Sequence, residues 1–151
     1  MSIDKDIHQG KFKNQYHKAT VNILYTYGWL MEQIKQVLAD ADITPQQFNI
    51  LRILRGSYPN PLSTLQIRER MLDKMSDTSR IVDRLIVKDL VKKTVSQTDR
   101  RLVDVVISLR GRRLLKKLDS RQDELDGILK NLSDSEASDL SKLLDKIRNA
   151  D

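Results

Sequence analysis

The feature that most constrains the fold is a short amphipathic stretch in the middle of the chain, SDTSRIVDRLIVK, from Ser76 to Lys88. At the helical spacing of roughly 100° per residue, one face is mostly apolar and collects Thr78, Ile81, Val82, Leu85 and Ile86. The other face is polar and carries Ser76, Arg80, Asp83 and Arg84. Ser76 suits the N-cap, because its hydroxyl can accept a hydrogen bond from a backbone amide of the first turn. We therefore predict a helix that begins at Ser76. Its apolar face packs against the rest of the protein, and its polar face is free to contact another molecule. An ordinary solvated surface helix has the same pattern, so its function depends on its neighbours.

Basic residues are concentrated around this stretch. Residues 68–117 hold fifteen lysines and arginines against seven acids, whereas the rest of the chain holds twelve bases and fourteen acids. The net charge of +6 is therefore confined to one segment. Such a concentration indicates a surface for a polyanion, because a nucleic-acid backbone attracts cations by releasing its condensed counterions.

Composition excludes several classes of function. The 151 residues fit one domain, and the sequence has neither an apolar run long enough to span a membrane nor the apolar core of a signal peptide. We therefore expect a cytoplasmic protein that binds no membrane. The absence of cysteine and the presence of only two histidines, His8 and His17, argue against a metal site. No nucleophile motif or phosphate-binding loop is present, so we expect no catalysis and no cofactor.

The N-terminal third reads as one long helix. Apolar residues recur at three- and four-residue steps from about Lys5 to Ala39, which is the spacing of a helical stripe. A helix of this length would protrude from so small a domain unless a partner subunit covered it. The stripe and its flanks also carry aromatic residues, which are either plain core and interface residues or the lining of a ligand crevice: Tyr16, Tyr25, Tyr27 and Trp29.

Two capping boxes mark the starts of the next helices. Thr44 with Gln47, and Pro45 at the first helical position, predict a helix over about 45–55. Ser63 with Gln66 predicts a short helix over about 64–71. Only four residues separate this helix from Ser76, which is typical of a helix-turn-helix.

A β-hairpin is predicted directly after the opening stretch. The runs Leu90–Val95 and Leu102–Ser108 are rich in β-branched residues, and the connection SQTDRR carries two adjacent arginines at its tip. A hairpin in this position is the wing of a winged helix, whose tip can reach the minor groove. The alternative is a solvated basic hairpin without a ligand.

The C-terminal third is predicted to be helical. Ser108 caps a helix that continues to about Asn131, and a box of Ser133 with Glu136 opens a last amphipathic helix. Apolar stripes at both ends of the chain favour a two-fold dimer. Such a dimer would place its two reading helices, the helices from Ser76 to Lys88 that contact DNA bases, about 34 Å apart. The alternative is that these helices fold back on their own core.

Three segments in order, SRIVDRL, then DLVKK, then TDRRLVDVVISLRG, resemble the multiple-antibiotic-resistance regulator (MarR) family of bacterial transcription factors. The resemblance is close over residues 43–118. It implies a winged-helix homodimer that binds a pseudo-palindromic operator, usually represses nearby genes and is often released by a small aromatic or lipophilic acid. It also implies that Arg80 contacts DNA and that Asp99 positions Arg101. This chain departs from the family in having Asp89 in place of a helix-ending glycine, a position that aspartate tolerates at some cost, and Ser108 in place of threonine.

We therefore expect a mostly α fold with a small β-hairpin wing, as one MarR-like domain over residues 1–151. The winged helix-turn-helix core would span 43–108, and 5–40 with 109–149 would form a helical dimerisation region. The predicted DNA-binding residues are Ser76, Asp77, Ser79, Arg80, Asp83, Arg84, Asp99, Arg100 and Arg101. A ligand cavity between the first helix and the core would use Tyr16, Tyr27, Trp29, Phe48, Arg52 and Arg55.

Two functions remain open on these grounds. The first is a dimeric DNA-binding regulator, a repressor of nearby genes that a small aromatic or lipophilic ligand releases. The second is a winged-helix protein-interaction module that has lost operator recognition. The exposed basic residues favour the first, because a protein-binding helix usually presents apolar anchors.

Overall fold

The computed structural model describes residues 2–96, 98–99 and 103–149. Within these ranges the α-helices are α1 (Ile3–Asp6), α2 (Gln15–Leu38), α3 (Pro45–Ser57), α4 (Thr64–Arg70), α5 (Thr78–Val87), α6 (Leu109–Asp119), α7 (Gln122–Asp126) and α8 (Asp134–Arg148). Short 3₁₀ turns follow α2 at Ala39–Ala41 and α7 at Gly127–Leu129. The strands are β1 (Leu62–Ser63), β2 (Val91–Val95) and β3 (Val103–Ile107). The predicted fold class, a mostly helical winged helix with long terminal helices, is confirmed.

The first helix is interrupted where the sequence predicted continuity. Residues 7–14 are not helical, and α2 begins only after Asn14, whose side chain accepts a hydrogen bond from the His17 amide at 2.9 Å. His8 adopts the left-handed conformation with φ of 54°, which a helix cannot continue through. The short α1 instead lies against α2, where Lys18 and Asp4 form an ion pair at 3.1 Å. The hydrogen bond from Lys18 holds the pKa of the Asp4 carboxyl below its ordinary value.

The three predicted capping boxes are confirmed. Both reciprocal hydrogen bonds are present at the starts of α3, α4 and α8, where the caps are Thr44, Ser63 and Ser133. Each box satisfies two backbone amides that a helix leaves without an internal partner, so it fixes where the helix begins. α3 extends two residues beyond its predicted end, to Ser57.

The predicted hairpin is confirmed and gains a third strand. β2 pairs with β3 in antiparallel register, with Val91 opposite Ile107. β1 pairs with the other edge of β3, with Leu62 opposite Val105, so the sheet order is β1-β3-β2. β1 was not predicted, because two residues carry no alternation that a sequence pattern could reveal.

The hydrophobic core is built around α3. Its residues Ile50, Leu51 and Leu54 are almost fully buried. They belong to one cluster with buried side chains of the neighbouring elements: Ile67, Val82, Leu85, Val91, Val105, Ile107 and Leu115. The terminal helices take little part in this core. Among the described residues of α2 only Leu38 is buried, and no residue of α8 is buried within the described chain.

The end of α5 is locked to the start of α6. The Leu90 amide donates to the Leu85 carbonyl at 3.0 Å and the Asp89 amide donates to the Ile86 carbonyl at 2.9 Å, which is the Schellman pattern that ends a helix. Asp89 has φ of 58°, so it adopts the left-handed conformation at this helix-ending position, as expected of an aspartate in place of glycine. The Ser108 hydroxyl donates to the Asp89 carbonyl at 2.7 Å and accepts from the Gly111 amide at 3.0 Å, which confirms Ser108 as the cap of α6.

The helix after Ser108 is shorter than predicted. It was expected to run to about Asn131, but α6 ends at Asp119 and α7 starts anew at Gln122. The Ser120 hydroxyl donates to the Lys117 carbonyl at 2.6 Å, one of the side-chain bonds with which serine competes against helix continuation. Arg121 then connects α7 to the end of α2 through ion pairs with Glu124 and Asp40.

We predict that Gly111→Ala destabilises the protein by about 1–3 kcal/mol. A Cβ at this position would lie 2.8 Å from Ile107 Cγ1 and closer still to the Leu90 carbonyl oxygen, which is backbone and cannot turn away. Gly56→Ala is the matched control, since no described atom lies within 4 Å of that position, also within a helix. It should leave stability unchanged or raise it by up to about 1 kcal/mol. Urea unfolding measures both, and equal midpoints for the two variants would contradict the close contact.

Candidate nucleic-acid interface

The predicted reading helix is α5, and it begins one residue later than expected. Asp77, not Ser76, is its N-cap, and the Asp77 carboxylate accepts a hydrogen bond from the Arg80 amide at 3.2 Å. A carboxylate at this position also complements the positive end of the helix dipole. Among the described residues the buried Ser76 hydroxyl has no hydrogen-bond partner. The prediction of Ser76 as the cap is therefore wrong.

The two faces of α5 lie as the sequence predicted. Thr78, Val82 and Leu85 are buried, and Ile81 and Ile86 are half-buried against the core. The opposite face is exposed and carries Ser79, Arg80, Asp83 and Arg84. One face of α5 is thus anchored in the core, and the other presents Arg80 in the first turn and Arg84 in the last turn.

The turn before α5 is held by hydrogen bonds at both of its ends. At its start, the Leu72 amide donates to Asn49 Oδ1 on α3 at 2.9 Å. At its end, Asp73 accepts from the Met75 amide through Oδ1 at 3.0 Å and from the Ser76 amide through its carbonyl at 3.3 Å. α4, this turn and α5 form the helix-turn-helix that the sequence predicted.

The wing is tied to the reading helix by an ion pair. Lys93 Nζ on β2 lies 3.4 Å from Asp83 Oδ1 on α5. Asp83 was predicted as a DNA-binding residue; its carboxylate forms this ion pair, and its contact with DNA stays a prediction. This exposed pair links β2 to the outward face of α5.

The described part of the wing tip is organised by Ser96. Its hydroxyl oxygen accepts from the Thr98 amide at 3.3 Å and from the Asp99 amide at 3.4 Å. Asp99 is half-buried there. Arg100 and Arg101 lie outside the described residues, so their predicted contacts, and the proposed orientation of Arg101 by Asp99, stay predictions.

Arg68 and Thr64 were not singled out from the sequence. Both line a cleft between α4 and the start of α5, together with Leu65 and residues 76–79. Thr64 follows the Ser63 cap directly, and Arg68 lies in the basic segment, so charge and position together were the available signals. Not every base of that segment faces this surface, since the Arg112 guanidinium lies 4.1 Å from the centre of the Tyr58 ring.

A largely apolar cavity of about 620 Å³ lies between α2, α3 and α7. Three of the predicted ligand-binding residues line it: Tyr27, Phe48 and Arg52. The Arg52 guanidinium lies 5.4 Å from the centre of the Phe48 ring. The remaining lining comes mainly from apolar residues of α2 and α7 and from the turn before α5: Leu30, Met31, Ile34, Pro45, Gln46, Asn49, Leu72, Asp73, Gln122, Leu125, Asp126, Ile128 and Leu129.

The other three predicted ligand-binding residues do not line this cavity. Tyr16 is 85% exposed near the start of α2. Trp29 borders a smaller cleft shared with α1. The Arg55 guanidinium makes two hydrogen bonds to Asp119 on α6, at 3.0 and 2.9 Å. Arg52 is therefore the arginine that can meet a ligand carboxylate in the cavity.

The α7 wall of the cavity is positioned by Arg121. Its guanidinium lies 2.8 Å from Glu124 on α7 and 3.4 Å from Asp40 at the end of α2. The hydrogen bond from Arg121 lowers the pKa of the Glu124 carboxyl, and the same interaction raises the pKa of Arg121. One side chain thus bridges the two helices that face each other across the cavity.

Two other kinds of site are absent from the part of the chain that the structure describes. No group of three histidine or acidic side chains there could hold a metal ion. No helix there is both long and apolar enough to cross a membrane.

The Asp83–Lys93 pair yields a test with two opposed variants. Asp83→Asn and Lys93→Ala each remove the pair, so each should lower stability by less than about 1 kcal/mol, because both side chains are exposed. Their effects on binding to DNA of any sequence should be opposite: Asp83→Asn frees a cation and strengthens binding, and Lys93→Ala weakens it. Filter binding at several salt concentrations measures both. A loss of preference at one base position in Asp83→Asn would mean that Asp83 reads a base instead.

Comparison with known proteins agrees with this geometry. The family model described as MarR family matches residues 41–102, from the end of the 3₁₀ turn before α3 to the residue before β3. A MarR transcription factor from Planctomyces limnophilus is 28% identical, with a TM-score of 0.68 over 89% of this chain and 98% of that one. A cysteine-to-serine variant of MarR from E. coli, solved with operator DNA, is 22% identical, with a TM-score of 0.81 over 91% and 99%.

A third similar structure is BpsR from Bordetella bronchiseptica, described as regulated in its DNA binding by 6-hydroxynicotinic acid. It is 22% identical, with a TM-score of 0.75 over 85% of this chain and 91% of that one. No curated protein matches the sequence significantly. The shared fold over most of the chain shows a winged helix-turn-helix protein, and its residues 41–102 match the MarR family of transcription regulators, a family of regulators and not of enzymes.

Proposed function

We propose that the chain binds a pseudo-palindromic DNA operator as a two-fold homodimer in the bacterial cytoplasm, represses nearby genes and is released by a small aromatic or lipophilic ligand. The observation that carries this proposal is α5, which is anchored in the core on one face and exposes Arg80 and Arg84 on the other. In a helix-turn-helix, the start of such a helix enters the major groove.

The proposed DNA contacts divide by position. Arg80 lies in the first turn of α5, where it can reach a base edge or a flanking phosphate, and Ser76, Asp77, Ser79 and Arg84 flank it. Asp83 acts through its ion pair with Lys93. Asp99, Arg100 and Arg101 belong to the wing, for which we propose minor-groove and backbone contact. Arg68 in the cleft beside α5 is a further candidate for a phosphate contact.

The proposed dimer interface is formed by the terminal helices, residues 5–40 and 109–149. Their large apolar side chains are exposed in the single chain, among them Ile23 and Leu24 on α2 and Leu140, Leu143 and Ile147 on α8. Exposed apolar side chains that recur along a helix are typical of a protein–protein interface. Pairing through it would set two copies of α5 about one DNA turn apart, on the order of 34 Å. Residues 43–108 would then form the DNA-binding core.

The proposed ligand site is the cavity between α2, α3 and α7. Aromatic walls from Tyr27 and Phe48, with Arg52 beside Phe48, suit a small aromatic or lipophilic acid. The volume of about 620 Å³ lies within the usual range for small-molecule sites. The relation to BpsR, whose DNA binding is regulated by 6-hydroxynicotinic acid, supports the proposal.

Selection of bound fragments from a random DNA pool tests the function. We expect an inverted-repeat consensus, because a two-fold dimer reads two equivalent half-sites.

Two arginine variants test the proposed DNA contacts. Arg80→Ala should cost roughly 1–3 kcal/mol of binding free energy per half-site and relax preference at one base position. Arg101→Ala should weaken all sequences more evenly and reduce the salt dependence by about one unit for each phosphate that the wing no longer neutralises.

The control for these variants is Arg148→Ala, which removes an exposed arginine from the C-terminal helix α8. It should bind the selected operator like the parent. No enriched sequence, together with unchanged binding of nonspecific DNA in both Arg80→Ala and Arg101→Ala, would leave the protein-interaction module as the better explanation.

Dimerisation is tested by introducing charged residues on the exposed apolar face of α8. Leu143 and Ile147 are 60% and 63% exposed in the single chain, so replacing both with glutamate leaves the core of the protein unaltered. The double variant Leu143→Glu, Ile147→Glu should be a folded monomer in sedimentation equilibrium, because burying two charges in an apolar interface is strongly unfavourable. Lys142→Glu, a charge change at an adjacent exposed position, should remain a dimer. A dimer of undiminished affinity in the double variant would place the interface elsewhere.

A further inference from the structure

We infer that Asn49 couples the cavity to the reading helix, by holding the turn before α5 through a hydrogen bond that forms part of the cavity wall. The inference rests on the proposed function and names the residue through which an occupant of the cavity alters DNA binding. Asn49 is thus a positioning residue for α5 and contacts no DNA itself.

The Asn49 side chain belongs to two structures at once. It lines the cavity from α3, beside Phe48 and Arg52. Its Oδ1 also accepts the Leu72 amide at 2.9 Å, a bond between residues 23 positions apart in the chain. Because the neighbouring residues Ile50 and Leu51 are fully buried, the backbone of Asn49 is fixed in the core. The turn is therefore the partner that can move.

The turn itself forms the next part of the cavity wall. Leu72 and Asp73 both line the cavity, although Leu72 is 88% exposed to solvent. Asp73 in turn accepts hydrogen bonds from the amides of Met75 and Ser76. The following residue, Asp77, is the cap of α5. A short series of hydrogen bonds thus leads from the cavity wall to the start of the reading helix.

These contacts give an occupant a direct means of displacing α5. An apolar occupant gains free energy by covering the apolar lining of the cavity, and it competes for the space in which Asn49 meets the Leu72 amide. Loss of that hydrogen bond releases the turn and moves the cap at Asp77. Major-groove readout by Arg80 depends on the placement of the first turn of α5. An occupied cavity should therefore weaken operator binding.

The experiment fills the cavity by covalent modification, so it needs no knowledge of the natural ligand. The sequence has no cysteine, so Met31→Cys introduces a unique thiol in the cavity wall on α2. Reaction with benzyl methanethiosulfonate attaches an aromatic ring there through a disulfide. Glu32→Cys, at the adjacent exposed position outside the cavity lining, is the matched control. Operator affinity is measured before and after modification, and again after reduction of the disulfide.

We expect modification of Met31→Cys to weaken operator binding roughly tenfold, within the ordinary range of coupling between two sites, and modification of Glu32→Cys to have no effect. In the Asn49→Leu background the effect of modification should fall below about twofold, because the connection to Leu72 has been removed. Asn49→Asp keeps an oxygen that can accept the Leu72 amide and should restore the effect. Asn49→Ala replaces Asn49→Leu if the latter unfolds in urea at a lower midpoint than the parent.

Three outcomes would count against these proposals in distinguishable ways. Unchanged operator binding after modification of Met31→Cys would show that the cavity is not coupled to α5. An equal loss in the Asn49→Leu and parent backgrounds would show coupling through another residue, and so overturn the role of Asn49. Absence of operator binding in the unmodified protein would overturn the proposed function, and the coupling with it.

Discussion

The close approach of α6 to the end of α5 depends on the absence of a side chain at Gly111. The Leu90 carbonyl and the Ile107 side chain occupy the space that a Cβ would need there. This approach lets the Ser108 hydroxyl reach the Asp89 carbonyl while it caps α6. The end of α5, the inner strand of the wing and the start of α6 are thereby fixed to one another. A DNA-reading surface needs such rigidity, because contacts to bases tolerate little displacement of the side chains that make them.

α3 separates this rigid unit from the cavity. Its buried face, with Ile50, Leu51 and Leu54, supports the core beneath α5 and the sheet. Its other face presents Phe48 and Arg52 to the cavity. The same thirteen-residue helix, Pro45–Ser57, therefore connects the two surfaces to which function is assigned. No separate connecting domain is needed, because opposite faces of this one helix meet the core beneath α5 and the cavity.

The sequence was most informative where structure depends on local interactions. The capping boxes at Thr44, Ser63 and Ser133 predicted helix starts correctly, because a cap bonds only to residues within its own first turn. The faces of α5 and the hairpin followed from periodicity for the same reason. Features set by distant contacts were missed. The pairing of β1 depends on β3, about forty residues away, and the placement of α1 against α2 involves the ion pair between Asp4 and Lys18.

The candidate sites were predictable to different degrees. Exposed arginines on an amphipathic helix can be identified from spacing alone, so Arg80 and Arg84 were found, while Arg68 required the α4–α5 cleft to be seen. Half of the predicted ligand-binding residues line the cavity. The others do not line it for physical reasons: Tyr16 lies in the first turn of α2, Trp29 borders the cleft shared with α1, and the Arg55 guanidinium is held by Asp119. Helical periodicity gives the direction of a side chain and not the neighbour that it meets.

The lack of buried residues in α8 has a consequence for the life of a newly made chain. A solitary copy leaves the apolar side chains of its last helix in water, where proteases and chaperones recognise such surfaces. In the proposed dimer, a second copy would cover this surface and remove it from recognition. Pairing would then act as quality control: chains that pair persist, unpaired ones are degraded, and the cell retains mainly the form that can occupy both halves of a symmetric DNA site.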